Sequence, residues 1–242
     1  YLHWLTKMLQ GDWGTSLRTW RPVIAEVSER YPNTVRLAIA GMIAAISIGV
    51  PAGILAAVKH NTKIDYLCMT GALFGVSMPS FWLGIMFILI FSVQLRVLPT
   101  SGSGSFISLV MPSLTLGLVM AGSIARITRS GMLEVLRQDY VRTARAKGLT
   151  EHIVVYRHAL RNALIPLLTM TGMQFGFLLG GTVIVETVFA WPGIGRLAIM
   201  AIQTRDLPLL QGCILVLTII FVTINLMVDI VYAFIDPRIK YD

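Results

Sequence analysis

Long runs without a charged residue divide this 242-residue chain into alternating apolar and polar stretches. About 20 helical residues, each rising about 1.5 Å, cross the roughly 30 Å of hydrocarbon in a bilayer. By that measure the sequence predicts five membrane-spanning helices, at 37–58, 66–95, 106–125, 163–185 and 207–228. The second run is longer than a bilayer requires and contains Pro79, which predicts a kink, a tilt or an extension beyond the lipid.

The composition agrees with a helical membrane protein. Hydrophobic residues make up 55% of the chain and charged residues 13%, about half the charged share of a soluble domain. A water-soluble single domain and a disordered chain are therefore excluded, and the expected fold class is an all-α, polytopic integral membrane protein. Cys68 and Cys213 lie in apolar stretches, so they predict neither a disulfide framework nor a cysteine-based metal site.

The positive charges are unevenly distributed among the predicted loops. The net charge is +8, and most of the 20 Lys and Arg residues lie in the segments 59–65, 126–162 and 236–242. Since cytoplasmic loops are rich in Lys and Arg, these loops and the C-terminus are expected in the cytoplasm, and the charge predicts no nucleic-acid partner. Residues 1–33 are then an extracytoplasmic N-terminal segment of a truncated chain, which does not begin with Met, and residues 34–242 a transmembrane domain.

Small residues recur at every fourth position in three predicted spans. This spacing places them on one helix face, where two backbones can approach closely. The positions are Gly41, Ala45, Gly49, Gly53 and Ala57; Gly117, Ala121 and Ala125; and Gly172, Gly176 and Gly180. Gln174 lies within the last ridge, and a polar side chain at that depth needs water or a partner. The ridges predict tight helix packing, or, for the last ridge with Gln174, a translocation path or a moving helix interface.

Ionisable residues are rare within the predicted spans. Asp229 ends the last span, level with Arg126 at the end of the third, which predicts a structural ion pair, with Arg129 as an alternative partner for Asp229. A proton relay is less favoured because a proton-coupled carrier needs several acidic groups deep in the bundle. The predicted spans contain no histidine, so no metal site is expected, and the chain has no P-loop for ATP.

The loop at 126–162 carries its own helix signals. Asp139 can cap the start of a helix, Gly148 fits the position that ends it, and Thr150 can cap a second helix. On these residues alone two roles stay open. The first helix can dock into a groove of a soluble partner and pass force into the membrane bundle, or it can rest at the lipid interface. The side chains available for docking are Tyr140, Ala144 and Leu149.

Several motifs together resemble one known family. DYVRTARAKGL at 139–149 and HALRNALIP at 158–166 resemble the EAA-loop region of permease subunits in the dipeptide, oligopeptide and nickel group of ABC importers. Other matching segments are GDWGTS at 11–16, SMPSFW at 77–82, ETVFAWPGIGR at 186–196 and DPRI at 236–239. The general EAA pattern has a Glu before two small residues. Here Arg142 stands in its place, so no role of that Glu is carried over.

The resemblance implies a type I permease fold, with five spanning helices visible of the family's six, in a bacterial or archaeal cytoplasmic membrane. It implies a second homologous permease, two ATPase subunits that bind ATP and Mg, and an extracytoplasmic substrate-binding protein, with no cofactor or catalytic residue in this chain. Peptides, glutathione or nickel chelates are the expected substrates. The rival interpretation is a self-sufficient carrier or channel. The residues expected to couple the permease to the ATPase subunits are Asp139, Tyr140, Arg142, Thr143, Ala144, Arg145, Lys147, Gly148 and Leu149.

Overall fold

The computed structural model is all-α over the residues it describes. It describes the backbone of Thr6 and of residues 10–235, and leaves undescribed the side-chain surroundings of 164–171, 173, 176–177, 179–181, 229 and 231–235. The helices are α1 (Val23–Val58), α2 (Lys63–Ser77), α3 (Ser80–Phe87) with a π-helical continuation (Ile88–Gln94), α4 (Phe106–Leu136), α5 (Asp139–Ala146), α6 (Glu151–Ile153) with a π-helical turn (Val154–Ala159), α7 (Leu160–Val188), α8 (Ile194–Gln203) and α9 (Leu207–Ile235).

Three helical stretches of the described chain are long and apolar enough to cross a membrane: Val23–Val58, Phe106–Leu136 and Leu207–Val228. A fourth candidate is the broken pair of Lys63–Ser77 and Ser80–Gln94. Of the three alternatives predicted for this run, the structure shows the kink at Pro79. Met78 is extended there (φ −81°, ψ 127°), as the residue before a proline prefers. The span predicted at 163–185 falls on α7, part of which lies outside the described residues.

Two helices extend well beyond their predicted spans. α1 begins at Val23, so residues 23–33 of the predicted external segment are its first turns, and α4 continues to Leu136. A run without charged residues delimits only the part of a helix that can lie in the hydrocarbon of the bilayer. A helix itself needs only backbone hydrogen bonds and residues such as Arg, Glu and Leu that favour it. The added turns of both helices contain such residues, which explains why hydropathy alone misplaced the helix ends.

The chain forms two compact units. The first comprises Tyr1–Ala40, Ser80–Thr115 and Phe177–Thr223, and the second comprises Gly41–Pro79, Leu116–Gly176 and Ile224–Asp242. The helices α1, α4, α7 and α9 contribute residues to both units. Each unit is therefore assembled from segments that are distant in sequence.

Small residues let α1 and α4 approach closely within the second unit. A Cβ atom added at Gly53 would lie 2.5 Å from the Ala125 carbonyl oxygen and 2.5 Å from the Thr128 Cβ. A Cβ atom at Gly117 would lie 2.6 Å from that of Ala44. Real Cβ atoms do not come so close, so these glycines are required by the packing itself. The tight packing predicted from the ridges of the first and third spans is confirmed.

Candidate functional site

The short helix α5 is closed at its C-terminal end by a Schellman motif. Lys147 is the C-cap of α5, and Gly148 follows it with a left-handed backbone (φ +76°). The Gly148 amide donates to the Arg145 carbonyl (2.9 Å), and the Leu149 amide donates to the Ala144 carbonyl (3.4 Å), the pair of bonds that defines this motif. The helix end predicted at Gly148 is confirmed.

The start of α5 differs by one residue from the prediction. Gln138, with extended backbone (φ −70°, ψ 148°), is the N-cap, and Asp139 is the first helical residue. Asp139 still favours the helix there, because a carboxylate in the first turn complements the positive end of the helix dipole. Thr150 is the N-cap of α6, as predicted, although its side chain makes no capping hydrogen bond.

One face of α5 is buried inside its own unit. Val141, Ala144 and Val154 form a small apolar core, against which Val135 and Leu136 of α4 pack. Ala144 is 6% exposed, so the expectation that it fills a partner's groove is wrong. Val141 and Ala144 are three residues apart and lie on one face of α5. A helix of only eight residues depends on the packing of such a face against the rest of the protein. Tyr140 and Leu149 are 42% and 38% exposed and stay available for a partner.

Polar contacts also fix the orientation of α5. The Asn162 side-chain amide donates to the Tyr140 hydroxyl (2.7 Å), which ties α5 to the first turn of α7. Arg145 donates from Nε and NH2 to the two carboxylate oxygens of Glu151, at 3.1 and 2.7 Å. This bond lowers the pKa of the Glu151 carboxyl below its ordinary value. Both side chains are partly exposed, so the pair contributes little stability and acts mainly to orient α6.

A cleft of about 360 Å³ opens beside α5, and we call it the α5 cleft. It is lined by Tyr140, Thr143, Ala144, Lys147, Leu149 and His158. The structure thus brings five of the predicted coupling residues together around one concavity and adds His158. His158 is not among the predicted coupling residues, although it begins the second motif at 158–166. Arg142 lies outside this lining and pairs with Asp139 at 3.7 Å.

The glycine ridge of α7 is described only in part. A Cβ atom at Gly172 would lie 2.2 Å from a methyl carbon of Val228, so α7 and α9 pack tightly there. Gln174 is partly buried. Gly176 and Gly180 lie on α7, outside the residues whose side-chain surroundings are described. The prediction of a translocation path at these residues stays a prediction.

The predicted ion pair between Arg126 and Asp229 also stays a prediction, since the side chain of Asp229 lies outside the described part of the chain and Arg126 is exposed. The alternative partner Arg129 binds elsewhere. Its Nε and NH2 atoms donate to the two carboxylate oxygens of Asp65, at 2.7 and 2.8 Å. Asp65 is 2% exposed and also accepts the Asn61 backbone amide at 3.0 Å. The sequence did not predict this pair, because 64 residues separate Asp65 from Arg129.

A buried carboxylate organises a second cluster, in the first unit. Glu186 is fully buried, and its carboxylate accepts hydrogen bonds from the Thr34 hydroxyl (2.7 Å) and the Arg196 backbone amide (3.0 Å). The Thr34 oxygen in turn accepts the Ile194 amide at 2.8 Å. These bonds satisfy the free amides at the start of α8. The sequence predicted no contact for Glu186, which begins the motif at 186–196.

A third carboxylate ties the segment before α1 to the start of α9. Asp206 accepts hydrogen bonds from the Ser16 hydroxyl (2.5 Å) and the Leu209 backbone amide (3.2 Å). Burial opposes ionisation of this carboxyl, but the hydrogen bonds from Ser16, Leu209 and neighbouring backbone amides outweigh it and hold the pKa of Asp206 below its ordinary value. The ionised form therefore stabilises this junction.

The helical membrane architecture and the motifs at 139–166 define a permease of a binding-protein-dependent transporter. Residues 49–241 match the family described as "Binding-protein-dependent transport system inner membrane component", and the chain belongs to that family. It is thus a multi-pass inner-membrane permease component of an ABC importer, not itself an enzyme, in a system that includes ATPase and binding-protein partners. The resemblance found in the sequence is confirmed.

Similar proteins extend this assignment. The glutathione transport system permease protein GsiC of Escherichia coli K12 is 48% identical over 241 residues, covering 100% of this chain and 79% of that protein. GsiC of Salmonella typhimurium LT2 is 49% identical with the same coverage. Among solved structures, the inward-facing MetNI methionine ABC transporter has a TM-score of 0.75 at 19% identity, covering 87% of this chain and 96% of its own. An amino acid ABC transporter has a TM-score of 0.63 at 14% identity, covering 89% and 95%. These two show a shared fold.

Proposed function

We propose that this chain is a permease subunit of an ATP-driven importer for glutathione or a closely related short peptide. The observation that carries the proposal is the 48% identity to a glutathione permease over the whole length of this chain. The short segment between Leu98 and Phe106 agrees with it, because it resembles glutathione- and nickel-type members more than dipeptide permeases with a longer insertion. Dipeptides and nickel chelates are the alternative cargoes.

The proposed arrangement has five spans of a six-span type I permease, with residues 1–33 outside and the loop 126–162 and the C-terminus in the cytoplasm. The distribution of positive charge supports this orientation. Of the 20 Lys and Arg residues, the predicted cytoplasmic segments hold Lys59, Lys63, Arg126, Arg129, Arg137, Arg142, Arg145, Lys147, Arg157, Arg161, Arg238 and Lys240. A second homologous permease completes the pathway, and Gln174 of α7 borders it, whereas Gly172 packs against Val228 of α9. Arg126 and Asp229 pair near the cytoplasmic end of the pathway.

In this proposal α5 is the element that receives movement from the ATPase subunits, which bind ATP and Mg. Two contacts support this role. The apolar core of Val141, Ala144 and Val154 holds α5 to the end of α4, and the bond between Tyr140 and Asn162 holds it to the start of α7. A displacement of α5 therefore reaches two long helices together. No covalent chemistry occurs in this chain.

The proposal is tested by transport in proteoliposomes that contain the assembled transporter and its binding protein. We expect uptake of labelled glutathione that requires ATP inside the vesicles and is competed by excess unlabelled glutathione. Dipeptides and a nickel–histidine chelate, added in equal excess, should compete weakly. Uptake without ATP or ATPase subunits would support the rival carrier or channel. ATP-dependent uptake competed best by dipeptides or the chelate would keep the importer and overturn the cargo.

A further inference from the structure

We propose that the α5 cleft is a receptor for a carboxylate side chain of the ATPase subunit. This inference rests on the proposed role of α5 as the coupling element, and it adds the chemistry of the contact. If α5 acted only as a protruding helix, a groove on the ATPase subunit would be enough to bind it. Here the permease also offers a concavity of about 360 Å³ beside α5. That is room for one side chain of the partner and its nearest waters.

The polar groups that line the cleft are mainly donors. The Tyr140 hydroxyl accepts the Asn162 amide, so its own proton is free to point into the cleft. Lys147 supplies an ammonium group with three donors. Within the part of the chain that the structure describes, the side chains of Lys147 and His158 have no hydrogen-bonding or ion-pairing partner. A carboxylate is the protein side chain that accepts from several such donors at once.

The two acidic residues within 139–158 lie outside the cleft. Asp139 lies 3.7 Å from Arg142, and Glu151 is held by two hydrogen bonds from Arg145. Neither carboxylate lines the cleft. Lys147 is thus the one lysine, arginine or acidic residue among the described residues that line the cleft, and its ammonium group is available to a carboxylate of the partner.

The walls of the cleft fit an acidic side chain with an aliphatic stem. Ala144 and Leu149 provide apolar surface between the donors. Hydrogen bonds hold two walls of the cleft in place: the Schellman motif at Gly148 fixes the backbone at Leu149, and the Asn162 amide donates to the Tyr140 hydroxyl. A preformed cleft loses little conformational freedom on binding, which favours a specific contact. An anionic lipid headgroup has compatible charge, but Leu149 and Ala144 do not favour it, and it is kept as an outcome of the test.

The first experiment measures the dissociation constant of the purified ATPase subunit for the permease assembly in nanodiscs. Lys147→Gln should weaken ATPase binding about tenfold, the scale of one charge-assisted hydrogen bond, and reduce its dependence on salt. Lys147→Arg should keep affinity within about threefold of wild type, because it keeps the charge. The control is Arg157→Gln, which removes an exposed charge of the same segment outside the cleft. Equal effects of Lys147→Gln and Arg157→Gln would overturn the proposal.

The second experiment searches for the partner carboxylate. Lys147→Glu should abolish ATPase binding, and one Asp→Lys or Glu→Lys substitution on the ATPase surface should restore it. A scan of all exposed acidic residues of the ATPase without any restoration would overturn the proposal. So would a loss of affinity for phosphatidylglycerol vesicles in Lys147→Gln with ATPase binding unchanged, which would assign the cleft to lipid.

A cross-linking arm separates this inference from the proposed function. Arg142→Cys, on the exposed face of α5 and outside the cleft, should cross-link to the ATPase subunit in the assembled transporter. If no cross-link forms in an active complex, the coupling role of α5 fails. If the cross-link forms but the Lys147 variants match the Arg157 control, the coupling role stands and only the carboxylate receptor fails.

Discussion

Glu186 and Gly193 show how closely single residues are fitted around the start of α8. The Glu186 carboxylate accepts from the Thr34 hydroxyl and the Arg196 amide, and it occupies the space that a side chain at Gly193 would need. A Cβ atom there would lie 2.2 Å from the carboxylate carbon. The backbone of Gly193 is ordinary for any residue, with φ −102°. The glycine is therefore required by space and not by conformation.

The substitution Gly193→Ala should destabilise the protein by about 1–3 kcal/mol, the usual cost of overfilling a packed site. The measurement is the thermal unfolding midpoint of the purified complex. Gly71→Ala is the matched control, since nothing lies within 4 Å of its added Cβ and alanine favours a helix. An unchanged midpoint in Gly193→Ala would show that Glu186 does not fill this space.

Asp206 makes the junction between Ser16 and α9 sensitive to acid. Its folded-state pKa lies below the ordinary value of 3.8. The ionised carboxylate therefore adds stability above about pH 4, and that stability is lost as the pH falls through the folded-state pKa. We expect protease cleavage near residue 16 to increase below about pH 4 in the wild type. Asp206→Asn should cleave faster already at pH 7 and show a flatter pH profile; a wild-type profile in that variant would contradict this assignment.

At the scale of elements, the pair of Asp65 and Arg129 joins the first turn of α2 to the last turns of α4. Removing one partner leaves a charge without its counterion in a mostly buried site, which costs about 3–5 kcal/mol when burial is complete. Asp65→Asn should therefore lower the yield of assembled complex sharply. Adding Arg129→Gln should recover part of the loss, because no unpaired charge remains. Yields of the four variants form a double-mutant cycle, and purely additive losses would argue against the pair.

Gly148 sets the direction in which the chain leaves α5. Its φ of +76° is unfavourable for residues with a Cβ, while the space around it is open, so the cost of substitution is conformational. Gly148→Val should weaken ATPase binding or uncouple ATP hydrolysis from uptake, because a β-branched residue resists this backbone. Gly148→Asn should retain more of both activities, since asparagine tolerates the left-handed region. The measurement is the ratio of transport to ATP hydrolysis. Equal ratios in both variants would argue against a role for the backbone at Gly148.

Local signals in the sequence predicted the features that depend on local chemistry. Pro79 predicted the kink before α3 as one of three alternatives, and Gly148 predicted the end of α5, because each acts on its own backbone. The pairs of Asp65 with Arg129 and of Thr34 with Glu186 could not be predicted, since 64 and 152 residues separate the partners. The burial of Ala144 depends in the same way on Val154, which reaches α5 only through the turn at Gly148. Tertiary pairing leaves no periodic trace in a single sequence.

For the whole molecule, the spanning helices differ in how much of their surface the chain itself covers. The apolar window of α4 is 61% buried, and that of Leu207–Val228 in α9 is 22% buried. Large apolar side chains of α9 such as Leu226 and Ile214 are more than half exposed. A helix with so much exposed apolar surface needs lipid or another subunit around it. The proposed second permease and the bilayer are therefore expected to cover α9 more than α4.

The joint between α4 and α5 has a mechanical consequence. Only two residues lie between Leu136 and Asp139, and the amides of both bond back to carbonyls of α4, at 3.3 and 3.1 Å. The Gln138 carbonyl also accepts a hydrogen bond from the Val141 amide of α5. Backbone hydrogen bonds therefore hold both residues of the joint. Helix shifts at subunit interfaces are about 1–2 Å, whereas one inserted residue adds up to about 3.5 Å of chain. One inserted residue could therefore take up the whole displacement of α5 before it reached α4. Coupling thus constrains the number of residues in this joint more tightly than their identity.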